Sequence, residues 1–128
     1  MDYLLDTSVA IPLRDGDPAV TSKVGALNGV LFLSIVSRIE LESGVYREPA
    51  YVSVRRRRVD AMLPTFQVLP FGEEAVEAYR LIVETLGYSR RTLLDRMIAA
   101  QALVHRATLV TRNSDDFRDV PRLSLLEW

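Results

Sequence analysis

Apolar residues along the chain form short continuous runs that alternate with longer segments in which apolar positions recur every three or four residues. Short apolar runs are typical of buried strands, and the longer spacing is typical of amphipathic helices. Alternating elements of these two kinds favour a parallel sheet that is covered by helices on both faces. The predicted strands are 4–5, 30–34, 66–69, 108–110 and, as a fifth, 123–126.

Turn and capping signals separate the predicted helices. The segment 73–86 has acids in its first turn and Gly87 directly after its last residue, which are common start and stop signals. Pro49 suits the first turn of a helix that closes before Pro64. The pattern therefore predicts one three-layer α/β/α domain, 1–128, with a short and mainly parallel central sheet. The predicted helices are 8–14, 18–27, 37–46, 49–63, 73–86 and 92–106.

Composition narrows the possible classes of protein. The chain is 48% apolar and 26% charged, as expected for a globular domain, and its apolar runs are too short to span a membrane. It has no cysteine and only one histidine, His105, which excludes thiolate and multi-histidine zinc sites. Asp2 and Asp6 replace the basic start of a signal peptide, so a cytoplasmic location is expected.

Positive charge is carried almost entirely by arginine. The net charge is −1, which is unlike that of a basic nucleic-acid binder, yet 15 of the 16 cationic residues are arginine. Codon bias in a GC-rich genome, or arginines on solvated helix faces, would explain this excess of arginine as well as a functional role does. Guanidinium groups also pair bidentately with phosphate, so a first arginine block (55–58) and a second (within 87–112) could hold a polyanion. The candidate contacts to a nucleic-acid backbone are Arg90, Arg91, Arg96 and Arg112.

Four acids occupy positions where a carboxylate is costly. Asp6 and Asp116 follow the predicted first and fourth strands, while Glu40 and Asp95 lie in the first turns of apolar helices. In open α/β sheets these positions face one edge, beyond the carboxyl ends of the strands. Carboxylates that gather at low dielectric either become neutral or bind a cation. The sequence therefore predicts a divalent-metal site at this edge.

Each acid also has a purely structural alternative. Aspartate is a favoured helix N-cap, and a Ser or Thr three residues before an acid fits a capping box. Aspartates after a strand are common in turns. Any one of these alternatives outweighs a lone catalytic role, but four acids at equivalent ends of the fold favour the site. The residues concerned are Asp6, Ser37 with Glu40, Thr92 with Asp95, and Asp115 with Asp116.

Several segments together resemble one known family. They are Leu-Leu-Asp-Thr-Ser-Val at 4–9, Glu-Leu-Glu-Ser-Gly-Val at 40–45, Asp-Arg-Met-Ile-Ala-Ala at 95–100 and Leu-Val-Thr-Arg-Asn-Ser-Asp-Asp-Phe at 109–117. In order and spacing they are similar to PIN-domain ribonucleases, above all to the VapC toxins of bacterial type II toxin–antitoxin pairs. The similarity extends over essentially the whole chain and implies a PIN-like fold.

The resemblance implies a role for each acid. Asp6, Glu40 and Asp95 match the family's acidic metal-binding positions. For the fourth acid, some relatives carry Asp in place of Asn113, and many have Asn there with an acid at the place of Asp116. We expect Asp116 to be the fourth acid and Asn113 to be a metal-proximal hydrogen-bonding group.

Polar neighbours of these acids also match the family. Ser8 and Thr111 correspond to positions that orient the acids or bound waters, although asparagine is commoner than serine at the first. Asp115 is expected to face solvent. An all-oxygen site selects Mg²⁺ or Mn²⁺, as one ion or two. The implied reaction is hydrolysis of RNA that leaves a 5′-phosphate and a 3′-hydroxyl. The resemblance also implies a cognate VapB-like antitoxin covering the active site, and homodimers that could join a larger toxin–antitoxin assembly.

Other functions fit less well. A haloacid-dehalogenase-like phosphatase needs a second Asp where Ser8 stands, and a receiver domain needs a late lysine, whereas the only lysine is Lys23. No cysteine and no Gly-x-Ser-x-Gly elbow is present for a covalent hydrolase. The remaining alternative is a catalytically silent binding module with the same fold, acting through RNA or a protein partner. The intact acids favour the enzyme.

Overall fold

One five-stranded sheet organises the computed structural model, which describes all residues Met1–Trp128. Its strand order is β3-β2-β1-β4-β5, and every pair of neighbouring strands is parallel. This confirms the predicted fold class, with all five predicted strands present. The strands are β1 (Asp2–Leu5), β2 (Val30–Ser34), β3 (Gln67–Leu69), β4 (Thr108–Thr111) and β5 (Leu125–Glu127).

Six α-helices connect and cover the strands, and each one corresponds to a predicted helix. Two of them begin later than predicted because a short 3₁₀ turn precedes them, Pro49–Tyr51 before α4 and Arg90–Thr92 before α6. In contrast, α3 begins two residues early. The helices are α1 (Thr7–Arg14), α2 (Pro18–Gly25), α3 (Ile35–Tyr46), α4 (Val52–Met62), α5 (Glu73–Leu86) and α6 (Leu93–His105).

The sheet separates two hydrophobic cores. Successive strand residues point to opposite faces, so Leu4 packs with α5 and α6 while Leu5 packs with α1 to α4. Leu109 and Val110 of β4 divide in the same way. All four side chains are fully buried, which explains why the strands read as continuous apolar runs. No helix is both long enough and apolar enough to cross a bilayer.

The strand order places a switch point beside β1. From β1 the chain builds β2 and β3 on one side of the sheet and later adds β4 and β5 on the other. In open α/β sheets the connections on the two sides of such a point diverge, which leaves a crevice beyond the carboxyl ends of the strands. The backbone N–H of Asp6 donates to the carbonyl oxygen of Val110 at 2.9 Å. Asp6 and the segment after β4 therefore border this crevice together.

Candidate metal site at the carboxyl edge of the sheet

Asp6 lies at the end of β1 and at the N-cap position of α1. Its side chain makes no capping bond to the helix. Instead its Oδ2 accepts hydrogen bonds from the hydroxyls of Ser8, at 2.7 Å, and Thr111, at 2.9 Å. The residue is only 4% exposed. Helix capping thus does not explain this buried carboxylate, and the two hydroxyls orient it as predicted.

Glu40 is held by a hydroxyl chain that starts inside the core. Thr7 Oγ1 donates to Glu40 Oε1 at 2.7 Å, and it also lies 2.7 Å from the Oγ of fully buried Ser37. Because the Thr7 proton is directed to the carboxylate, Ser37 must be the donor in the second bond. The capping-box alternative is wrong here, since α3 is capped by Ser34, whose Oγ accepts from the N–H of Val36 at 3.0 Å.

Thr7 is a site residue that the sequence prediction missed. It lies within the segment 4–9 that carries the family resemblance, but only Asp6 and Ser8 of that segment were assigned a role there. The available signal was a hydroxyl at the first position of α1, one residue from a predicted metal ligand. Its partners Ser37 and Glu40 lie 30 and 33 residues away, so no local pattern reveals the contact.

Asp95 lies in the first turn of α6, where it is partly buried. Burial, followed by the negative charge of Asp6, accounts for most of a rise in the pKa of its carboxyl from the usual 3.8 to about 6. The charges of Asp116 and Glu40 act in the same direction. Thr92 makes no capping bond to α6, so the capping-box alternative fails here as well. The structure thus brings the other three predicted acids within electrostatic reach of Asp95.

The segment after β4 presents Asp116 to this group. Asp116 lies in a 3₁₀ turn, Ser114–Asp116, and its backbone N–H donates to the carbonyl oxygen of Asn113 at 3.0 Å. The backbone N–H of Asn113 donates to Thr111 Oγ1 at 2.9 Å, while its side chain is exposed. Asp115 points to solvent, as expected, and pairs with Arg118 at 2.7 Å. Electrostatic proximity to Asp95 favours Asp116 over Asn113 as the fourth metal-binding residue, and both roles stay predictions.

Arg96 corrects one predicted nucleic-acid contact. Its Nη1 and Nη2 donate to the two carboxylate oxygens of Asp119 at 2.9 and 3.0 Å, and the residue is only 7% exposed. This pairing lowers the pKa of the Asp119 carboxyl. Helix α6 turns Arg96 inward, so its guanidinium serves the fold and is not a free phosphate contact. Arg90, Arg91 and Arg112 are exposed, as that role requires.

The first arginine block is also committed largely to neighbours within the protein. Arg56 forms ion pairs with Glu42 and Asp60, and Arg55 forms one with Glu48. The hydrogen bond from Arg56 lowers the pKa of the Glu42 carboxyl. Paired guanidinium groups are less available to a polyanion, so the block fits its alternative interpretation as a solvated helix face.

The donor chemistry of the acidic edge fits a hard divalent cation. Asp6, Glu40, Asp95 and Asp116 offer only carboxylate oxygens, and Asp6 and Glu40 each have one oxygen that makes no hydrogen bond within the protein. No three acidic or histidine side chains of the chain stand in an arrangement that would hold a metal ion by themselves. The four carboxylates therefore do not form a preassembled metal site, and metal binding at this edge stays a prediction.

We expect Thr7→Val to lower the free energy of unfolding by about 1–2 kcal/mol, because it leaves the buried hydroxyl of Ser37 without its partner. Valine keeps the shape of threonine, so no cavity contributes. Urea unfolding followed by circular dichroism measures the change. The double variant Thr7→Val/Ser37→Ala should recover most of the loss, since it removes both polar partners. A single variant as stable as the parent would contradict this account of the hydroxyl chain.

Comparison with known proteins places the chain in a family. The family model described as "PIN domain" matches residues 3–123. The protein called ribonuclease VapC1 from Rickettsia felis is 32% identical over 134 aligned positions, which cover 98% of this chain and 96% of that protein. The chain therefore belongs to the PIN-domain family, and within it to the VapC group, as the sequence motifs indicated.

Solved structures show the same fold. The crystal structure of VapBC2 from Rickettsia felis bound to a promoter DNA fragment contains a chain that matches with a TM-score of 0.87 and 24% identity, covering 100% of this chain and 99% of that one. A chain of a toxin–antitoxin complex from Klebsiella pneumoniae matches with a TM-score of 0.77 and 24% identity, covering 97% and 95%. At this identity the two matches establish the fold alone.

Proposed function

We propose that this protein is a Mg²⁺- or Mn²⁺-dependent endoribonuclease, a VapC-like toxin that hydrolyses RNA phosphodiester bonds. The observation that carries the proposal is the gathering of Asp6, Glu40 and Asp116 around Asp95, whose carboxyl has a pKa raised to about 6. Perturbed carboxyl groups of this kind cluster at functional sites. The name of the 32% identical relative, ribonuclease VapC1, supports the same activity.

The protein's own residues have separable tasks in this reaction. Asp6 and Asp95 would hold the cation, with Glu40 and Asp116 contributing directly or through waters. When bound, the cation supplies Lewis-acid activation of water and neutralises charge that develops on the phosphate oxygens. The hydroxyl contacts to Asp6 and Glu40 fix one oxygen of each carboxylate and leave the other directed to the reaction.

The protonation state of Asp95 suits a metal ligand. With a pKa of about 6 in the metal-free protein, the carboxyl is ionised in about nine-tenths of molecules at neutral pH, and a bound cation would favour the ionised form more strongly. Water would attack phosphorus and release its proton to solvent, and the bond to the 3′-oxygen would break as that oxygen takes up a proton from solvent. The products carry a 5′-phosphate and a 3′-hydroxyl.

Partners follow from the same proposal. We propose that a VapB-like antitoxin inhibits the enzyme in the cytoplasm, and that the toxin forms a homodimer that can join a larger assembly. Membership of the VapC group, shown by the 32% identity to ribonuclease VapC1, supports an antitoxin partner. Tyr46 and Tyr51 are large apolar side chains that are exposed to solvent, so they suit such an interface.

RNA cleavage in the presence and absence of metal tests the activity. Purified, antitoxin-free protein is incubated with total cellular RNA and Mg²⁺ or Mn²⁺, with and without EDTA. We expect discrete fragments with 5′-phosphate ends that require the metal and disappear in the Asp6→Asn/Asp95→Asn variant. Asp115→Asn is the matched control, because Asp115 is a solvent-facing acid paired only with Arg118.

The alternative function gives a different result. A folded, metal-loaded and antitoxin-free protein that leaves all RNA intact would favour the catalytically silent binding module. Fragments that persist in EDTA would contradict the metal-dependent reaction. Mapping the fragment ends would identify the RNA target, which the residues of the chain do not specify.

A further inference from the structure

A polar cleft lies directly beside the candidate metal site. Its volume is about 510 Å³, and it lies between α1 and the C-terminal half of α3. Glu40 forms part of its wall, so the cleft adjoins the acidic edge of the sheet. Its charged lining consists of three arginines and three acids. Arg55 is paired with Glu48, so Arg14 and Arg47 are the cations that remain beside the acidic edge.

Arg14 is unusual because it is buried and yet only partly paired. The residue is 6% exposed, and its Nε donates to Asp15 Oδ1 at 2.9 Å. Its two Nη atoms make no hydrogen bond within the protein, although the side chain lines the cleft. A buried guanidinium normally has partners for its donors, since an unpaired buried donor is costly. The two Nη atoms are not among the fully buried polar atoms that lack a partner, so they are open to the cleft, where an acceptor can reach them.

The neighbours of Arg14 preserve this arrangement. An added Cβ at Gly44 would lie 2.8 Å from Arg14 Nη1, so the absence of a side chain there makes room for the guanidinium. The carbonyl oxygen of Gly44, the adjacent backbone acceptor, receives a hydrogen bond from Arg55 Nη1 at 3.0 Å. Gly44 therefore leaves space for the Arg14 side chain in the cleft, but its carbonyl oxygen accepts no hydrogen bond from the Arg14 guanidinium.

We propose that the cleft binds a backbone phosphate of the RNA substrate, next to the phosphate that is cleaved, through the free Nη atoms of Arg14. This inference rests on the proposed ribonuclease function. Two parallel N–H donors match two oxygens of a phosphodiester, and an arginine held in place by packing loses little entropy on binding. Exposed Arg47 adds positive charge at the rim. The subsite would hold the RNA strand while the acids act on the neighbouring phosphate.

RNA binding by a protein that cannot cleave provides the test. In the Asp95→Asn background, a short fluorescein-labelled single-stranded RNA of mixed sequence is titrated over a series of salt concentrations. We expect Arg14→Met to weaken binding about tenfold at low salt. It should also reduce the slope of log K against log salt by about 0.7, the value for one lost phosphate contact on a single strand.

Controls separate a lost contact from a damaged fold. Arg80→Met removes an exposed arginine of α5, on the other face of the sheet, and should leave both affinity and slope unchanged. Circular dichroism and thermal unfolding show whether Arg14→Met folds. If it does not, Gly44→Ala is the second variant, because its new methyl group displaces the guanidinium while the charge remains. We expect that variant to bind the same RNA severalfold more weakly than its parent.

The possible results are distinct. RNA affinity and salt slope that stay unchanged in a folded Arg14→Met protein overturn the proposal. The same holds if only the complex with a co-purified protein partner is weakened, since the cleft would then bind a carboxylate of that partner. If the parent protein cleaves no RNA but binds it in an Arg14-dependent way, the phosphate subsite stands and the proposed catalytic activity fails.

Discussion

Replacing Asp95 by asparagine is expected to abolish RNA cleavage and, at the same time, to make the metal-free protein more stable. The lost carboxylate removes a proposed metal ligand, so we expect the rate to fall on the order of 10³-fold or more. The gain in stability has a separate origin, which is the crowding of negative charge at the carboxyl edge of the sheet.

The sign of the stability change follows from the pKa of Asp95. Folding raises this pKa from 3.8 to about 6, so the folded state disfavours the ionised carboxyl. Below pH 3.8 Asp95 does not lower the free energy of unfolding. As the pH rises to about 6, ionisation of Asp95 lowers this free energy progressively, and above that pH the destabilisation is complete. A fully shielded carboxyl with this pKa shift would lower the free energy of unfolding by about 3 kcal/mol. Asp95 is partly exposed, and solvent screening reduces the effect to about 1–2 kcal/mol.

Paired measurements of activity and thermal unfolding check both parts of this prediction. At pH 7.5, in EDTA, Asp95→Asn should unfold about 4–8 °C above the parent, and the difference should vanish near pH 4. Asp115→Asn is the control, because that exposed acid pairs only with Arg118. A folded Asp95→Asn protein that cleaves RNA at the parent's rate would show that Asp95 is not part of the site.

Phe117→Ala is expected to produce the largest loss of stability, about 3–5 kcal/mol. Phe117 is 1% exposed and packs into the core between the sheet and the helices α5 and α6. It also follows Asp116 directly, and its N–H closes the turn on the carbonyl of Ser114 at 3.0 Å. Removal of the ring would leave a cavity under the segment that presents the fourth acid. Typical domains have a total stability of only about 5–15 kcal/mol, so the loss is substantial.

Urea unfolding at neutral pH measures this loss. Phe71→Ala is the matched control, because Phe71 packs against the same core but is only partly buried, and it should cost clearly less. Cleavage by Phe117→Ala should also require more Mg²⁺ at temperatures where the variant is still folded, since the position of Asp116 is less well held. A loss of stability below about 1 kcal/mol would contradict the role of Phe117 as the anchor of this turn.

Much of the fold could be predicted from local patterns in the sequence. The five strands and six helices correspond to alternating apolar runs and amphipathic segments, and their boundaries differ from the prediction by a few residues at most. The largest differences occur where a hydroxyl or a proline sets a helix end. Ser34 starts α3 early, and the 3₁₀ turn that begins at Pro49 delays α4. These details depend on side-chain hydrogen bonds and backbone geometry that hydrophobic periodicity does not encode.

The positions of the four acids in the fold were predictable because each occupies a recognisable position in its element. Asp6 ends a strand, and Asp95 lies in the first turn of a helix, where periodicity alone indicates the location. The residues that contact and orient these acids, or that pair within the fold beside them, could not be predicted from local patterns. Thr7 contacts Glu40 across 33 residues, and Arg96 turns inward to Asp119 across 23, so both contacts depend on how whole helices pack.

By itself the sequence determined the parallel α/β architecture, the four acids and the family, since each depends on short segments whose pattern is independent of the rest of the chain. The tertiary structure decided the strand order, with β4 beside β1, and thereby placed Asp6 and Asp116 at the same crevice. It also decided that Arg14 lies buried in a cleft beside Glu40. Such pairings join residues tens of positions apart, and only the packing of helices on a common sheet brings them together.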